Sequence, residues 1–235
     1  MIIQACINGA RPASFHPALP TTPDAIAADA AAAVAAGAHE VHLHVRDASG
    51  TETLAPATVE HVLRLVRARV PGTLVGISTG AWIERDDDRR LAHIGAWPVR
   101  PDYAGVNFNE PGAPGLFERL FRCAIPVEAG LATVADAERM IRLQLGERAW
   151  RHAIEIGEQD SAAAIAQAEE ILATLAHAGL TRPILLHGFD DSAWPLARMA
   201  RARGFALRIG LEDTSQLPDG TVAAGNADLV RAAAA

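Results

Sequence analysis

The sequence predicts a single (β/α)8 barrel, the TIM-barrel class of α/β fold, over residues 1–235. Apolar segments with strand character alternate with helical segments eight times, which favours parallel strands that close into a ring. One side-chain parity of the predicted strands is aliphatic, and the other carries polar residues concentrated near the strands' carboxyl ends. Because active sites of this fold lie at that end, the polar parity indicates function. A doubly wound open sheet is the structural alternative.

The predicted elements follow one another without a linker that would divide the chain. Thr22 as N-cap and Pro23 at the first position begin the first helix, and Pro71-Gly72 ends the second. Asp160 or Ser161 is the cap of the sixth helix. The predicted strands cover residues 2–8, 41–45, 74–79, 102–109, 125–128, 148–156, 183–187 and 207–212. The predicted helices cover residues 23–37, 57–70, 83–97, 115–124, 133–146, 161–179, 193–204 and 226–234.

Composition limits the classes of partner. The 235 residues are 50% hydrophobic and carry a net charge of −7, so we expect a sizeable core and no nucleic-acid partner. No apolar run approaches the ~18 residues of a membrane-spanning helix, and no targeting signal precedes the first predicted strand. Cys6 and Cys123 match no zinc or redox spacing. These features predict a cytoplasmic protein with reduced thiols and no membrane partner.

The second predicted strand places two histidines on one face. Apolar and polar residues alternate over 41–45, so His42 and His44 point to one side and the aliphatic residues to the other. Imidazoles about 7 Å apart along a strand can bind one metal ion when a third ligand approaches. The alternative is a pair of hydrogen-bonded core histidines.

Glu212, at the end of the last predicted strand, is the candidate third ligand. Strands 8 and 2 are separated only by strand 1 once a barrel closes, so Glu212 can approach both histidines. Two imidazoles and one carboxylate with an open position are typical of catalytic zinc, although iron or manganese would accept the same ligands. Arg208, four residues earlier on the same face, offers the alternative of an ion pair with Glu212.

Asp213 and the end of the third strand supply further candidates. We expect Asp213 to turn toward the barrel mouth and meet Arg208, which would keep it ionised as a base; the alternative is a turn-forming aspartate. Ser78, Thr79 and Gly80 could hold a substrate carboxylate or oxyanion, or could only shape a turn.

The remaining inward-facing polar residues are less specific. Glu128, Asn107 and Asn109 are candidates for contacts with the substrate or with the metal ligands. Glu155 and His187 have no partner that the sequence reveals, and we expect both to be packed and hydrogen-bonded. The arginines within 86–90 and 198–203 are expected on solvated helix faces. No role is predicted for six histidines: His16, His39, His61, His93, His152 and His177.

Several of these motifs resemble those of the β-keto acid cleavage enzymes, whose first characterised activity is 3-keto-5-aminohexanoate cleavage. The resemblance covers nearly the whole chain in the same order, and the pairing of His-x-His-x-Arg-Asp with Arg-x-Gly-x-Glu-Asp is its most specific part. The matching stretches are 5–10, 19–23, 36–38, 42–47, 77–80, 208–213 and 225–230.

The resemblance implies a zinc-dependent barrel enzyme that condenses a β-keto acid with acetyl-CoA, giving acetoacetate and a new acyl-CoA. By the same resemblance, His42, His44 and Glu212 hold the metal, and Asp213, oriented by Arg208, takes a proton. It also implies that Ser78 holds the substrate, whereas Glu128 matches a family glutamate only across a gap in the alignment. The resemblance further implies a homo-oligomer.

Two departures from the family pattern bear on the substrate. Arg11 occupies a position where the amino keto acid cleavage enzyme has a glutamate, so we expect it to repel an amino group and to accept a second carboxylate or a neutral polar group. The segment 155–158 replaces a glycine-rich loop, which bears on the use of acetyl-CoA.

Two other functions are compatible with the sequence. One is a metal-dependent aldolase, lyase or isomerase that acts on a small keto or hydroxy acid without coenzyme A. The other is a metal- or ligand-binding barrel without turnover. Consumption of acetyl-CoA separates the acetyl-CoA-dependent reaction from the first of these alternatives, and any turnover excludes the second.

Overall fold

The computed structural model describes all residues from 1 to 235 as a closed parallel barrel, which confirms the predicted (β/α)8 fold. Each strand pairs with the next along the chain, and the last pairs with the first. The strands are β1 Ile3–Cys6, β2 Glu40–Leu43, β3 Leu74–Ile77, β4 Tyr103–Asn107, β5 Val127–Leu131, β6 Arg151–Ile156, β7 Ile184–Gly188 and β8 Ala206–Ile209.

Eight α-helices surround the barrel, and their ends follow the capping signals of the sequence. The Thr22 side chain accepts a hydrogen bond from the Ala25 amide at the start of the first helix. The Asp160 side chain caps the sixth helix by accepting from two amides. The helices are α1 Pro23–Ala35, α2 Pro56–Arg69, α3 Asp87–Gly95, α4 Ala113–Arg122, α5 Val134–Arg142, α6 Ser161–His177, α7 Ala193–Arg203 and α8 Asn226–Ala234.

The hydrophobic core lies between the barrel and its helices. Val41 and Leu43 of β2, for example, are fully buried on the outward side of the strand, where they belong to the same apolar cluster as Val59 and Leu63 of α2. Burial of these aliphatic side chains provides the main driving force for packing the helices on the sheet. The opposite parity of each strand is thereby left to fill the barrel interior.

The register of β1 with its two neighbours decides which polar residues meet inside. Cys6 is level with His42 of β2, and Gln4 is level with Arg208 of β8. Because β1 alone separates β8 from β2 in the closed ring, the end of β8 lies one strand away from the two histidines.

Several strands and helices are shorter than the sequence pattern predicts. The last strand ends at Ile209, and residues 210–213 form a turn in which the Asp213 amide donates to the Gly210 carbonyl. The third helix begins at Asp87, because Asp86 caps it by accepting from the Arg89 amide. Strand parity therefore stops at Ile209 as a guide to side-chain direction.

Arg90 corrects the expectation that the arginines of 86–90 are solvated. Its side chain is only 1% exposed and donates to Glu110 at 2.9 Å and to Asp87 at 2.7 Å. The Arg90 side chain is thus buried, because the carboxylate of Glu110, in the loop before α4, pairs with it. The structure contains no helix with both the length and the apolar character needed to cross a membrane.

Candidate active site

His42, His44 and Glu212 converge inside the carboxyl end of the barrel. One donor atom from each residue lies within 4.8 Å of the others, and the two imidazole centroids are 5.7 Å apart. His44 Nε2 is 3.4 Å from Glu212 Oε1. Glycine at position 9 permits this approach: its φ is +58°, and a Cβ there would lie 2.3 Å from Glu212 Cγ.

The donor atoms of this trio fit a bound cation. Glu212 Oε2 and His42 Nδ1 are buried without any hydrogen-bond partner. Buried polar atoms are normally paired, so unpartnered atoms on adjacent nitrogen and oxygen donors are typical of a ligand-binding site. Two imidazoles and one carboxylate match the ligand types of a catalytic zinc site.

Glu52 orients His44 from outside the cavity, a contact that the sequence prediction missed. Its carboxylate oxygen lies 2.5 Å from His44 Nδ1, which leaves Nε2 directed toward Glu212. A carboxylate on the far nitrogen of a ligating histidine fixes its tautomer and raises its basicity. No pattern in the sequence points to Glu52; the antiparallel bridge between Arg46 and Glu52 places it there.

The two histidines have opposite pKa shifts. Burial lowers the pKa of His42 to about 4. Burial also opposes the charge on His44, but Glu212 and Glu52 outweigh it and raise the pKa of His44 to about 9. Burial opposes ionisation of Glu212 as well, yet Arg208 and His44 hold its pKa well below the usual range. In the absence of metal, the site therefore contains an imidazolium–carboxylate pair formed by His44 and Glu212. A cation that binds His44 would have to displace its proton.

Arg208 joins Glu212 to Asp213. Its Nη2 atom lies 2.5 Å from Glu212 Oε1 and 2.9 Å from Asp213 Oδ1. The expected meeting of Asp213 with Arg208 is thus present. Asp213 is completely buried and is not part of the cavity wall, whereas Arg208 is. The guanidinium therefore stands between the Asp213 carboxylate and the cavity.

The cavity above these residues has a volume of about 540 Å³, within the range of small-molecule sites. Ser78 and Asn107 line it, as the sequence prediction requires of substrate contacts, and Glu128 forms part of its lower wall. Trp82 also lines it, and its ring stacks on His44 with centroids 6.1 Å apart. The sequence prediction overlooked Trp82, which lies in the loop between β3 and α3 and follows no strand alternation.

Three residues predicted to contact substrate do not line the cavity. The Thr79 hydroxyl donates to the Gly105 carbonyl at 2.5 Å, and Gly80 is buried behind the Trp82 ring. Asn109 is an exposed turn residue beyond the end of β4. For Asn109 the strand ends earlier than predicted, so the alternation that pointed its side chain inward no longer applies. Thr79 and Gly80 were predicted for their hydroxyl and backbone amides at the end of β3, and neither residue forms part of the cavity wall.

Arg11 lines the cavity, but protein groups already surround its guanidinium. Nε donates to the Glu212 carbonyl at 3.0 Å, and Nη2 lies 2.9 Å from an Asp190 carboxylate oxygen. The guanidinium also lies 4.3 Å from the Phe15 ring centroid. Asp190 therefore offsets much of the positive charge that the sequence interpretation reserved for a substrate carboxylate.

A second polar layer lies below the cavity, toward the amino ends of the strands. We call it the floor cluster; it comprises Gln4, Glu40, Tyr103, Glu128 and Arg151. Arg151 donates to Glu128 at 2.5 Å and also to Glu40, and Gln4 contacts both carboxylates and the tyrosine hydroxyl. Burial raises the pKa of Glu40. Burial acts in the same direction on Glu128, but Arg151 and His42 lower the pKa of Glu128 below its usual value.

The sequence prediction found Glu128 but missed three other members of the floor cluster. Glu40, Tyr103 and Arg151 each lie an even number of positions before an inward-facing residue of the same strand. Extending each alternation toward the strand's amino end would therefore have identified them. The same alternation thus carries a signal toward the amino ends of these strands as well as toward their carboxyl ends.

His187 and Glu155 correct the expectation that both are hydrogen-bonded. The ring nitrogens of His187 are buried, and neither has a hydrogen-bond partner. The Glu155 carboxylate lines the cavity and makes no hydrogen bond to the protein. The predicted hydrogen bonds are absent for both residues, although His187 Nδ1 lies 3.4 Å from Asp213 Oδ1.

Comparison with known proteins addresses the family directly. A family profile described as beta-keto acid cleavage enzyme matches residues 1–156 and 131–235, which together span the chain. The chain belongs to the β-keto acid cleavage enzyme family. This membership confirms the resemblance carried by the histidine and Arg-x-Gly-x-Glu-Asp motifs.

Individual relatives match to different extents. A 3-oxoadipate:acetyl-CoA acetyltransferase from Cupriavidus necator is 28% identical over 260 aligned positions, covering 100% of this chain and 87% of the relative. A 3-keto-5-aminohexanoate cleavage enzyme from Fusobacterium nucleatum is 37% identical over 92 residues, covering 39% of this chain. The matched part spans only about a third of the length of the cleavage enzymes, 34% in the Fusobacterium protein and 38% in one from Acetoanaerobium sticklandii.

Solved structures support the fold. The ternary complex of ObcA with a C4-CoA adduct and oxalate superposes with a TM-score of 0.75 at 19% identity. The superposition covers 92% of this chain and 62% of the ObcA chain. At this level of identity the similarity shows the barrel architecture alone.

Proposed function

We propose that this protein condenses a β-keto acid with acetyl-CoA, giving acetoacetate and a new acyl-CoA, with zinc held by His42, His44 and Glu212. The observation that carries the proposal is the convergence of these three residues, with unpartnered donor atoms, on a cavity in a chain of this family. The 3-oxoadipate:acetyl-CoA acetyltransferase, which the chain matches along its full length, supports acetyl-CoA as the second substrate.

The cation and the polar wall have complementary tasks. When bound, a divalent cation supplies a Lewis acid that polarises a carbonyl oxygen. Ser78 makes no hydrogen bond to the protein through its hydroxyl and lines the cavity, so it is free to donate to a substrate oxygen. Glu128 lies directly below the trio, where Arg151 keeps it ionised. We assign Glu128 a positioning role, in which it contacts the substrate or the metal ligands.

Proton removal from the keto acid is assigned to Asp213 acting with Arg208. Since Arg208 separates Asp213 from the cavity, the proton is proposed to pass through the guanidinium. Arg208 Nη2 gives a proton to Asp213 and the guanidinium takes one from the substrate carbon, so Arg208 ends the step with its charge unchanged. The electron pair left on the substrate carbon attacks the thioester carbon of acetyl-CoA, forming the new carbon–carbon bond as the carbon–sulfur bond breaks. The released coenzyme A thiolate then adds to the original keto carbon, and the bond from that carbon to the former carbanion carbon breaks, which gives the new acyl-CoA and the carbanion of acetoacetate. That carbanion takes back the proton held by Asp213 through Arg208, so the step returns both residues to their starting state.

The deciding experiment combines metal analysis with a substrate panel. We expect about one zinc per chain in purified protein, and consumption of acetyl-CoA with formation of acetoacetate when a suitable β-keto acid is added. Cleavage of a keto acid without consumption of acetyl-CoA would replace the proposal by the coenzyme A-independent alternative. The absence of any turnover across keto and hydroxy acids, by zinc-loaded protein, would favour the binding-only barrel.

A further inference from the structure

Glu155 is the one carboxylate in the cavity wall that forms no ion pair with the protein. It lies near the carboxyl end of β6, lines the cavity, and makes no hydrogen bond or ion pair to any protein group. The other three wall carboxylates are all paired: Glu128 with Arg151, Asp190 with Arg11, and Glu212 with Arg208. A carboxylate without a direct partner in a partly enclosed site is costly when ionised unless a ligand supplies a positive charge beside it.

Asn107 adds a second acceptor at the same place. A Cβ built on Gly130 would lie 2.6 Å from Glu155 Oε1 and 2.9 Å from Asn107 Oδ1, so both oxygens approach the same bare segment of β5. The amide nitrogen of Asn107 donates to Glu110 at 3.2 Å, which leaves its oxygen for the cavity side. The pair therefore presents two acceptor oxygens at the same place on the cavity wall.

The position of this pair matches the far end of a substrate. β6 lies four strands from β2 in the eight-strand ring, so Glu155 faces the two histidines from the opposite wall. A keto acid whose reacting end lies at the histidine wall would extend toward Glu155 across the cavity. The metal-binding trio and the Glu155–Asn107 pair thus bound the two ends of one site.

We propose that Glu155 and Asn107 form a subsite for an ammonium group, so that the preferred substrate is a β-keto acid with a cationic end remote from its keto group. This inference rests on the proposed function. It replaces the sequence interpretation in which Arg11 selects a carboxylate or a neutral group, since Asp190 offsets the Arg11 charge. Burial raises the pKa of the Glu155 carboxyl, and a neighbouring ammonium would favour its ionised form.

The test compares zinc-loaded wild-type protein with Glu155→Gln on three β-keto acids of matched length that end in an ammonium, a methyl group or a carboxylate. We expect wild type to favour the ammonium substrate, and Glu155→Gln to lower its kcat/KM by about 10- to 100-fold, the range of a charge-assisted hydrogen bond. The methyl-ended substrate should change by less than about threefold, because it makes no such bond. Glu158→Gln is the matched control, because Glu158 is exposed and accepts only from the neighbouring Gln159 and Asp160 amides.

Calorimetric Kd values for the three keto acids, measured without acetyl-CoA, distinguish failure of the proposed reaction from failure of the proposed ammonium subsite. If no keto acid consumes acetyl-CoA but Glu155→Gln selectively weakens binding of the ammonium compound, the proposed reaction fails and the subsite stands. If turnover occurs and Glu155→Gln affects all three substrates equally, the reaction stands and the ammonium subsite is overturned. Preference of wild type for the carboxylate-ended substrate would also overturn it.

Discussion

The two polar layers inside the barrel differ in how completely they are hydrogen-bonded. Every buried polar side-chain atom of the floor cluster has a partner. One level higher lies the mouth cluster, which we define as His42, His44, Arg208, Glu212 and Asp213; here His42 Nδ1 and Glu212 Oε2 have none. Both layers are buried and charged, so burial alone does not distinguish the proposed ligand site from the floor cluster. Unsatisfied donors and acceptors do, because they are tolerated where a ligand completes them.

Arg151 tests the structural assignment of the floor cluster and should give the largest effect. Arg151→Met would leave Glu40 and Glu128 buried without their cation, and we expect the free energy of unfolding to fall by about 3–5 kcal/mol. Urea denaturation measures this change. Arg64→Met, which removes an exposed pair with Glu60, should cost no more than about 1 kcal/mol. Similar losses in the two variants would remove the distinction between the floor cluster and a surface ion pair.

Asp213 tests the catalytic assignment of the mouth cluster. Asp213→Asn should lower the rate of acetyl-CoA consumption by at least about 10²-fold, the size expected for loss of a general base, while zinc is retained. Arg208 keeps Glu212 as a second carboxylate partner, so the unfolding free energy should fall by less than in Arg151→Met. Steady-state assays with parallel metal analysis measure both quantities. Unchanged turnover in Asp213→Asn would exclude Asp213 from the reaction.

Glu52 lies outside both layers and should tune the mouth cluster without joining it. Glu52→Gln keeps the shape of the side chain but removes the negative charge beside His44 Nδ1. We expect zinc affinity to fall by about 10- to 100-fold, as for other carboxylates that orient a ligating histidine. Competition with a zinc chelator measures this affinity. Glu60→Gln, on the exposed face of α2, is the control and should leave it unchanged.

The histidine pKa shifts predict the smallest effect, a change of metal-free stability with pH. His44 has a folded-state pKa of about 9, above its unfolded value, so its stabilisation is complete below pH ~6.5 and is lost as the pH rises toward 9. His42, with a folded-state pKa of about 4, destabilises the fold as the pH falls from ~6.5 toward 4. Together they favour a maximum near pH ~6.5, with slopes of at most about 1.4 kcal/mol per pH unit for each histidine.

Chemical denaturation of zinc-free protein at a series of pH values measures this profile. His44→Asn should flatten the alkaline side, and His42→Asn the acidic side. An unchanged alkaline slope in His44→Asn would show that another group causes it. Zinc should stabilise wild type more strongly as the pH rises, because the metal competes with the proton on His44.

Much of the fold and part of the site could be predicted from the sequence. The alternation of strand and helix signals predicted the eight-unit barrel, since each segment's hydrophobic period is a local property. The parity of 41–45 and the closure of the ring were enough to bring His42, His44 and Glu212 together. Local pattern and ring order suffice for His42 and His44, which lie in or directly after β2, and Glu212 reaches them from the turn that follows β8.

Only the tertiary structure decided how the charges are paired. Glu52 reaches His44 through a loop, and Arg208 screens Asp213 from the cavity. Whether Glu155 has a direct partner likewise depends on which side chains the other strands and loops bring to the cavity wall. Side-chain pairing depends on distances of a few ångströms between segments far apart in the chain, and strand parity carries no information about those distances once a strand has ended.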